Sequence, residues 1–93
     1  MRKSEINKII NLHNSIVIQE KKYRDTCKEL TMLLAPKLDF EYDCLHTAVI
    51  AGDGLCLCFE YESFNHVIPI PFLIEYLSNH KTINYEEIRK LSI

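Results

Sequence analysis

The sequence predicts an α+β fold that has a long N-terminal helix, a small antiparallel β-meander of two or three strands, and two short C-terminal helices. Three observations predict it. Apolar residues recur at heptad spacing as far as Pro36, alternating apolar residues flank a Gly-Asp-Gly turn at 52–54, and helix-start signals precede two segments near the C-terminus. The length of 93 residues indicates one domain, 1–93. Its parts are the helix at 4–34, an acidic meander at 38–69 and the C-terminal helices at 71–92.

The heptad pattern predicts one helix over 4–34 that is intact or gently kinked, with Ser4 as its N-cap and Pro36 beyond its end. At 1.5 Å per residue this helix is about 46 Å long, whereas a compact chain of this size has a radius of gyration of about 12 Å. Part of its apolar stripe therefore extends beyond a monomer, and we expect it to pack against a second copy. The expected oligomer interface is Ile6, Ile9, His13, Ile16, Tyr23, Cys27 and Leu30.

Two alternatives to this assembly remain open at the level of sequence. Residues 14–19 contain Asn, Ser and three β-branched residues, which lower helix propensity, so the helix could break there into a helical hairpin. An amphipathic stripe also commonly packs against the core of its own chain. Either arrangement would leave no apolar surface for a second copy.

Residues 46–62 predict a β-hairpin. If Asp53 and Gly54 form a type I′ turn, Ile50 pairs with Leu57, and Ala48 pairs with Phe59. Alternation then places the apolar residues of the second strand on the core face and Cys56 and Cys58 on the other. The core-face residues of that strand are Leu55, Leu57, Phe59 and Tyr61.

The segments on either side of the hairpin are shorter. Residues 38–45 predict a short edge strand or an extended loop, and 65–70 predict a third strand whose prolines place it at an edge. Pro71 suits the first turn of a helix. Asn84, with Glu87 three residues later, is a capping signal for a last helix over 85–93.

No metal, cofactor or catalytic centre is expected from the cysteine and histidine spacing. Cys44-x-His46 and Cys56-x-Cys58 resemble two halves of a zinc site, but the predicted register directs His46 away from Cys56 and Cys58. No cysteine lies in a known nucleophile–base signature, and the 52–54 turn lacks the lysine of a phosphate-binding loop. We therefore expect a protein that is not an enzyme.

The N-terminus lacks the apolar run of a signal peptide, and no segment has the roughly 18 apolar residues that span a membrane. These features predict a cytoplasmic protein with no membrane partner, whose cysteines are reduced thiols.

The charge pattern suggests a function. Residues 38–80 contain no lysine or arginine, whereas acidic residues recur through them. We expect this acidic face to dock on a protein partner with a basic surface, as an inhibitor or adaptor does, some of which viruses encode. The ordinary alternative is that these charges only keep a small sheet soluble. The expected partner-binding residues are Asp39, Glu41, Asp43, Asp53, Glu60 and Glu62.

Nucleic-acid binding is not expected, because the one basic run, at 21–28, is interrupted and flanked by acidic residues. An alternative function is binding of a small anionic ligand at a subunit interface, with basic, histidine and tyrosine side chains as ligands. The residues for that site are Lys21, Lys22, Tyr23, Arg24, His46, Tyr61 and His66.

Overall fold

The computed structural model describes residues 3–93 and has the predicted α+β fold: a long helix, a three-stranded antiparallel sheet of order β1-β2-β3, and two short helices. The molecule is elongated and measures 59 × 25 × 21 Å. Within the described residues, no helix has both the length and the apolarity needed to cross a bilayer. The elements are α1 (Lys3–Leu34), a 3₁₀ turn (Ala35–Lys37), β1 (Asp43–Ile50), β2 (Gly54–Tyr61), β3 (Phe64–Pro69), α2 (Ile70–Leu77) and α3 (Tyr85–Leu91).

Helix α1 is continuous, which confirms the intact form of the prediction. Residues 14–19 remain helical because their unfavourable propensities amount to only a few tenths of a kcal/mol each. Ser4 was expected to cap the helix, but Lys3 is already helical, so Ser4 lies inside it. Leu34 is the one buried residue of the described helix, and the Pro36 turn follows it.

The core lies on one face of the sheet. Leu57 of β2 and Ile68 of β3 are paired neighbours and are both inaccessible to solvent. The end of α1 and the two C-terminal helices cover this face, with Leu73, Ile83 and Ile88 fully buried. Burial of side chains of this size stabilises the fold by roughly 1.5–3 kcal/mol each.

The C-terminal segments form as predicted. Pro71 lies in the first turn of α2, and the Asn84 side chain accepts a hydrogen bond from the Glu87 amide at 2.9 Å. Residues 38–42 are an extended loop rather than a strand. The amides of Asp39 and Ile83 donate to Ile83 O and Lys37 O at 2.8 and 2.9 Å, which ties this loop to the start of α3.

The predicted hairpin register is wrong. Ile50 pairs with Gly54 rather than Leu57, and Ala48 pairs with Cys56 rather than Phe59. The Asp53 amide donates to Ile50 O at 3.0 Å, so the tight turn comprises residues 50–53 and has Gly52 as its third residue, at φ +85°. This is the position at which a type II turn requires a positive φ. Asp53-Gly54 is therefore not the turn centre.

The observed β1–β2 register differs from the predicted one by three residues. Because three is an odd number, every β1 side chain lies on the opposite face, relative to β2, from the face that was predicted. Thr47 now lies opposite Leu57 on the core side, where Ala48 and Ile50 were expected. His46 lies opposite Cys58 on the outer side. The core face of β2 itself is as predicted, since Leu57 and Phe59 are buried and Leu55 and Tyr61 pack against the core.

Replacement of Gly52 by alanine tests this turn. A Cβ at Gly52 meets no atom within 4 Å, so any loss of stability reports the positive φ alone. We expect Gly52→Ala to lower the free energy of unfolding by about 1–2 kcal/mol, measured by urea denaturation. The control Asp53→Ala, at an exposed residue with a negative φ, should change it by less than about 0.5 kcal/mol. Equal effects of the two variants would contradict the turn described here.

Candidate functional site: an acidic and aromatic cleft

A cleft of about 930 Å³ opens at the end of the sheet where β1 begins and β2 ends. Asp43 and Glu60 are paired neighbours across these strands. The loop before β1 and the turn after β2 therefore meet at the same sheet end. The residues that line the cleft are Phe40, Glu41, Tyr42, Asp43, Glu60, Tyr61 and Glu62.

The backbone around the cleft is unusual. Glu62 and Ser63 have φ of 49° and 71° and form the two-residue turn between β2 and β3, where Tyr61 pairs with Phe64. Both positive values identify a type I′ turn made without glycine. Cys44 has φ 55° at an irregularity of the β1–β2 ladder. Each such non-glycine residue costs roughly 1–2 kcal/mol, so packing must hold this end of the sheet in place.

Aromatic packing supplies that support. The Phe40 ring lies 5.4–6.1 Å from four other rings, those of Tyr42, Phe59, Tyr61 and Tyr85. Tyr61 and Tyr85 stack at 3.7 Å. A hydrogen bond of 3.0 Å joins the Tyr85 hydroxyl and His66 Nε2. Ring pairs at these distances stabilise by roughly 0.5–1.5 kcal/mol each beyond their burial, so the cluster forms a rigid apolar wall.

The charge of the cleft is negative. Four of the six predicted partner-binding residues line it: Glu41, Asp43, Glu60 and Glu62. The ion pairs formed within residues 3–93 lie on α3, between Arg89 and Glu86 and between Lys90 and Glu87. Within that described range, none of the four cleft carboxylates forms an ion pair. They and the aromatic wall form a surface suited to a cation.

The other two predicted acidic residues lie elsewhere. Asp53 is the last residue of the β1–β2 turn, at the opposite end of the strands, beside Cys56. Asp39 is exposed, and its amide is bonded to Ile83 O outside the cleft lining. Sequence reasoning also missed Phe40 and Tyr42 as site residues. A usable signal was present, because acidic and aromatic residues alternate in both DFEYD at 39–43 and EYE at 60–62.

The two buried cysteines, Cys56 and Cys58, have raised pKa values. Burial raises the pKa of the Cys56 thiol, and the nearby Asp53 carboxylate raises it further. Burial also raises the pKa of Cys58, with a further contribution from Cys56. Although His46 lies opposite Cys58, no three potential metal ligands converge within residues 3–93. All four cysteines are free thiols.

The residues of the alternative anionic-ligand site converge only in part. Tyr23, Arg24 and His46 line a pocket of about 480 Å³ between α1 and β1, to which Lys28 adds a further positive charge. Lys21 and Lys22 are not among its lining residues. Tyr61 lies in the acidic cleft, and His66 bonds to Tyr85 on the core side. His46 and His66 pair with the consecutive residues Cys58 and Phe59, so alternation directs them to opposite faces, although both contribute to the lining of a smaller cavity of about 320 Å³.

The predicted oligomer interface divides into two parts. Ile6, Ile9 and Ile16 are 43–63% exposed, and His13 is exposed beside them. The later residues contact the chain's own sheet. The Tyr23 hydroxyl accepts from the Val49 amide at 2.9 Å, Cys27 O accepts from Thr47 Oγ1 at 2.9 Å, and Leu30 packs against the core.

Comparison of the chain with protein-family models, with curated proteins and with solved structures found no match.

Thiol reactivity tests the description of the cysteines. With iodoacetamide near neutral pH, we expect Cys44 to be alkylated first and Cys27 later, while Cys56 and Cys58 react only after unfolding in urea. The thiolate is the reactive form, and the raised pKa of the last two thiols suppresses it. Peptide mass spectrometry identifies each modified residue. Alkylation of Cys58 as fast as Cys44 would contradict this order.

The same pKa shifts predict a pH dependence. A thiol whose pKa is raised by folding stabilises the folded state while it is protonated, and this contribution is lost as thiolate forms. The free energy of unfolding should therefore fall as the pH rises above about 8.5. The free energy of unfolding of Cys58→Ala should fall less steeply with pH than that of the parent protein, and an unchanged slope would contradict the prediction.

Proposed function

We propose that this protein is a non-enzymatic interaction module that self-associates through the exposed half of α1 and docks its acidic cleft on a basic protein surface, as an inhibitor or adaptor. The observation that carries the proposal is the union of four carboxylates with three aromatic residues in one cleft. Carboxylates alone are commonly solvated. Their combination with a packed aromatic wall is suited to lysine or arginine side chains.

Two interactions would operate in such a complex. Carboxylates form charge-assisted hydrogen bonds with guanidinium or ammonium groups. The face of Tyr42, and the face of Tyr61 that is not stacked on Tyr85, would attract the same cations by roughly 0.5–2 kcal/mol depending on desolvation. The lack of lysine and arginine throughout 38–80 leaves the field of the cleft uncompensated by its own segment. A basic partner would be steered to this end of the sheet.

Self-association is supported by apolar surface that the chain does not cover. Between residues 6 and 17, six large aliphatic side chains of α1 are 43–63% exposed: Ile6, Ile9, Ile10, Leu12, Ile16 and Val17. Full burial of such side chains contributes roughly 1.5–3 kcal/mol each. Covering even the exposed half of each would supply several kcal/mol per chain. A contiguous patch of this kind commonly marks an interaction site.

A second candidate function is binding of a small anion in the pocket between α1 and β1. Arg24, Lys28 and His46 line this pocket and would supply positive charge, and Tyr23 would supply a hydroxyl group. The support for this role is weaker than the support for cation binding in the cleft. The pocket is mostly apolar, and it is not lined by four of the expected ligand residues: Lys21, Lys22, Tyr61 and His66.

NMR titration with a short oligo-arginine peptide tests the cleft. We expect shifts at 40–43 and 60–62, and roughly tenfold weaker binding for Glu60→Lys/Glu62→Lys, because each reversal replaces an attraction by a repulsion. The matched control Asp53→Lys/Glu75→Lys changes the net charge equally but lies outside the cleft. If both double variants weaken binding equally, the charge acts non-specifically and the cleft proposal fails. Titration with inorganic phosphate reports on the second candidate, for which Arg24, Lys28 and His46 would shift instead.

Two isoleucines provide a matched test of self-association. Ile16 and Ile18 are 63% and 61% exposed, but they project from opposite sides of α1 because successive residues are rotated by about 100°. We expect the parent protein to sediment as a concentration-dependent dimer, Ile16→Glu as a monomer, and Ile18→Glu as the parent does. A monomeric parent, or equal effects of the two variants, would contradict helix-mediated assembly.

A further inference from the structure

We infer that two copies of the chain pair antiparallel through the first half of α1, with the two sheets at opposite ends of the dimer. This inference rests on the proposed self-association and adds its geometry. The apolar stripe of α1 is exposed in the first half of the helix and contacts the chain's own sheet in the second half. Ile9 and Ile16 are exposed, and Tyr23 and Leu30, at successive intervals of seven residues, contact the chain's own sheet.

The position of the sheet restricts how a second helix can lie on this stripe. Tyr23 is 43% exposed and reaches β1 through its hydroxyl, which accepts from the Val49 amide. From Cys27 onward the stripe packs against the sheet, where Thr47 Oγ1 donates to Cys27 O. A parallel partner presents the same stripe at the same level, so its sheet would have to occupy the space already filled by the first sheet. An antiparallel partner that overlaps 3–20 carries its sheet past Lys3, on the far side of the overlap from the first sheet. This arrangement covers the exposed half of the stripe without a collision between the two sheets.

Charge complementarity favours the same orientation. In a parallel dimer in register, Glu20 would face the partner's Glu20 at a heptad a position, and His13 would face the partner's His13. In the antiparallel overlap, Ile6 lies opposite the partner's Ile16, and Ile9 lies opposite the partner's His13. Each Glu20 then lies beside Lys3 of the partner, which has the opposite charge. The pairing is thus attractive at both ends of the overlap.

The antiparallel arrangement places the two acidic clefts of the dimer far apart. At ~1.5 Å per residue, the two copies of Lys28 in this dimer lie about 50 Å apart along the helix axis. The two sheets, each with its own cleft, therefore lie at opposite ends of an extended dimer. Such a dimer can engage two basic sites at once, which raises the apparent affinity for a partner that repeats its sites at a matching distance.

Disulfide trapping tests the orientation in a Cys27→Ser/Cys44→Ser background, in which the remaining cysteines are buried. Ile6→Cys and Ile16→Cys are prepared separately, mixed at equal concentration, and oxidised with copper phenanthroline. The antiparallel dimer should form the mixed disulfide in roughly tenfold excess over either homodimer, since only the mixed pair is held in contact. Ile6→Cys mixed with Ile18→Cys is the control and should not exceed random pairing.

Sedimentation of the same samples before oxidation separates the possible failures. A dimer in which Ile6→Cys and Ile16→Cys each form disulfides mainly with another copy of the same variant is parallel, which overturns this inference and leaves self-association intact. A monomer before oxidation overturns both proposals. A chain that remains monomeric in solution but sediments with lipid vesicles would show that α1 lies on a membrane surface, and this also overturns the antiparallel dimer.

Discussion

The contact between the second half of α1 and strand β1 is the interaction on which the rest of the structure depends. Thr47 Oγ1 lies 2.9 Å from Cys27 O and 3.0 Å from Thr31 Oγ1 and is buried at that position. The same helix face directs Leu30 and Leu34 into the core. Because polar groups in such a place are costly unless they are bonded, this contact aligns the helix and the strand in one arrangement.

This contact also explains why α1 has two different halves. Its apolar stripe extends along the helix and is interrupted at Glu20, and the sheet is long enough to cover only the part after Tyr23. The first half therefore projects from the body, and the molecule reaches 59 Å in its longest dimension. A helix of this length in water gains little from propensity alone, since most helical stability in proteins comes from packing of the apolar face. The apolar side chains in the first half of α1 are therefore left exposed by the fold of the monomer itself.

The hairpin register determines what meets at the opposite end of the sheet. With Ile50 opposite Gly54, Asp43 lies opposite Glu60, and the loop at 40–42 adjoins the turn at 62–63. Like charges directly opposite each other are destabilising in a sheet. The aromatic cluster around Phe40 offsets this repulsion and holds three residues with positive φ nearby. Such concentration of charge and backbone strain at one place is typical of a surface that serves a function.

The sequence by itself determined the order of the elements, the Pro71 start signal of α2, the Asn84 cap of α3, and the acidic character of 38–80. These features depend on local patterns: heptad spacing, capping side chains and composition. Only the tertiary structure decided the strand register, because Gly52 and Gly54 each permit a positive φ, and a shift of three residues exchanges every face. It also decided which half of the α1 stripe is exposed, since that depends on where a sheet formed from distant residues ends.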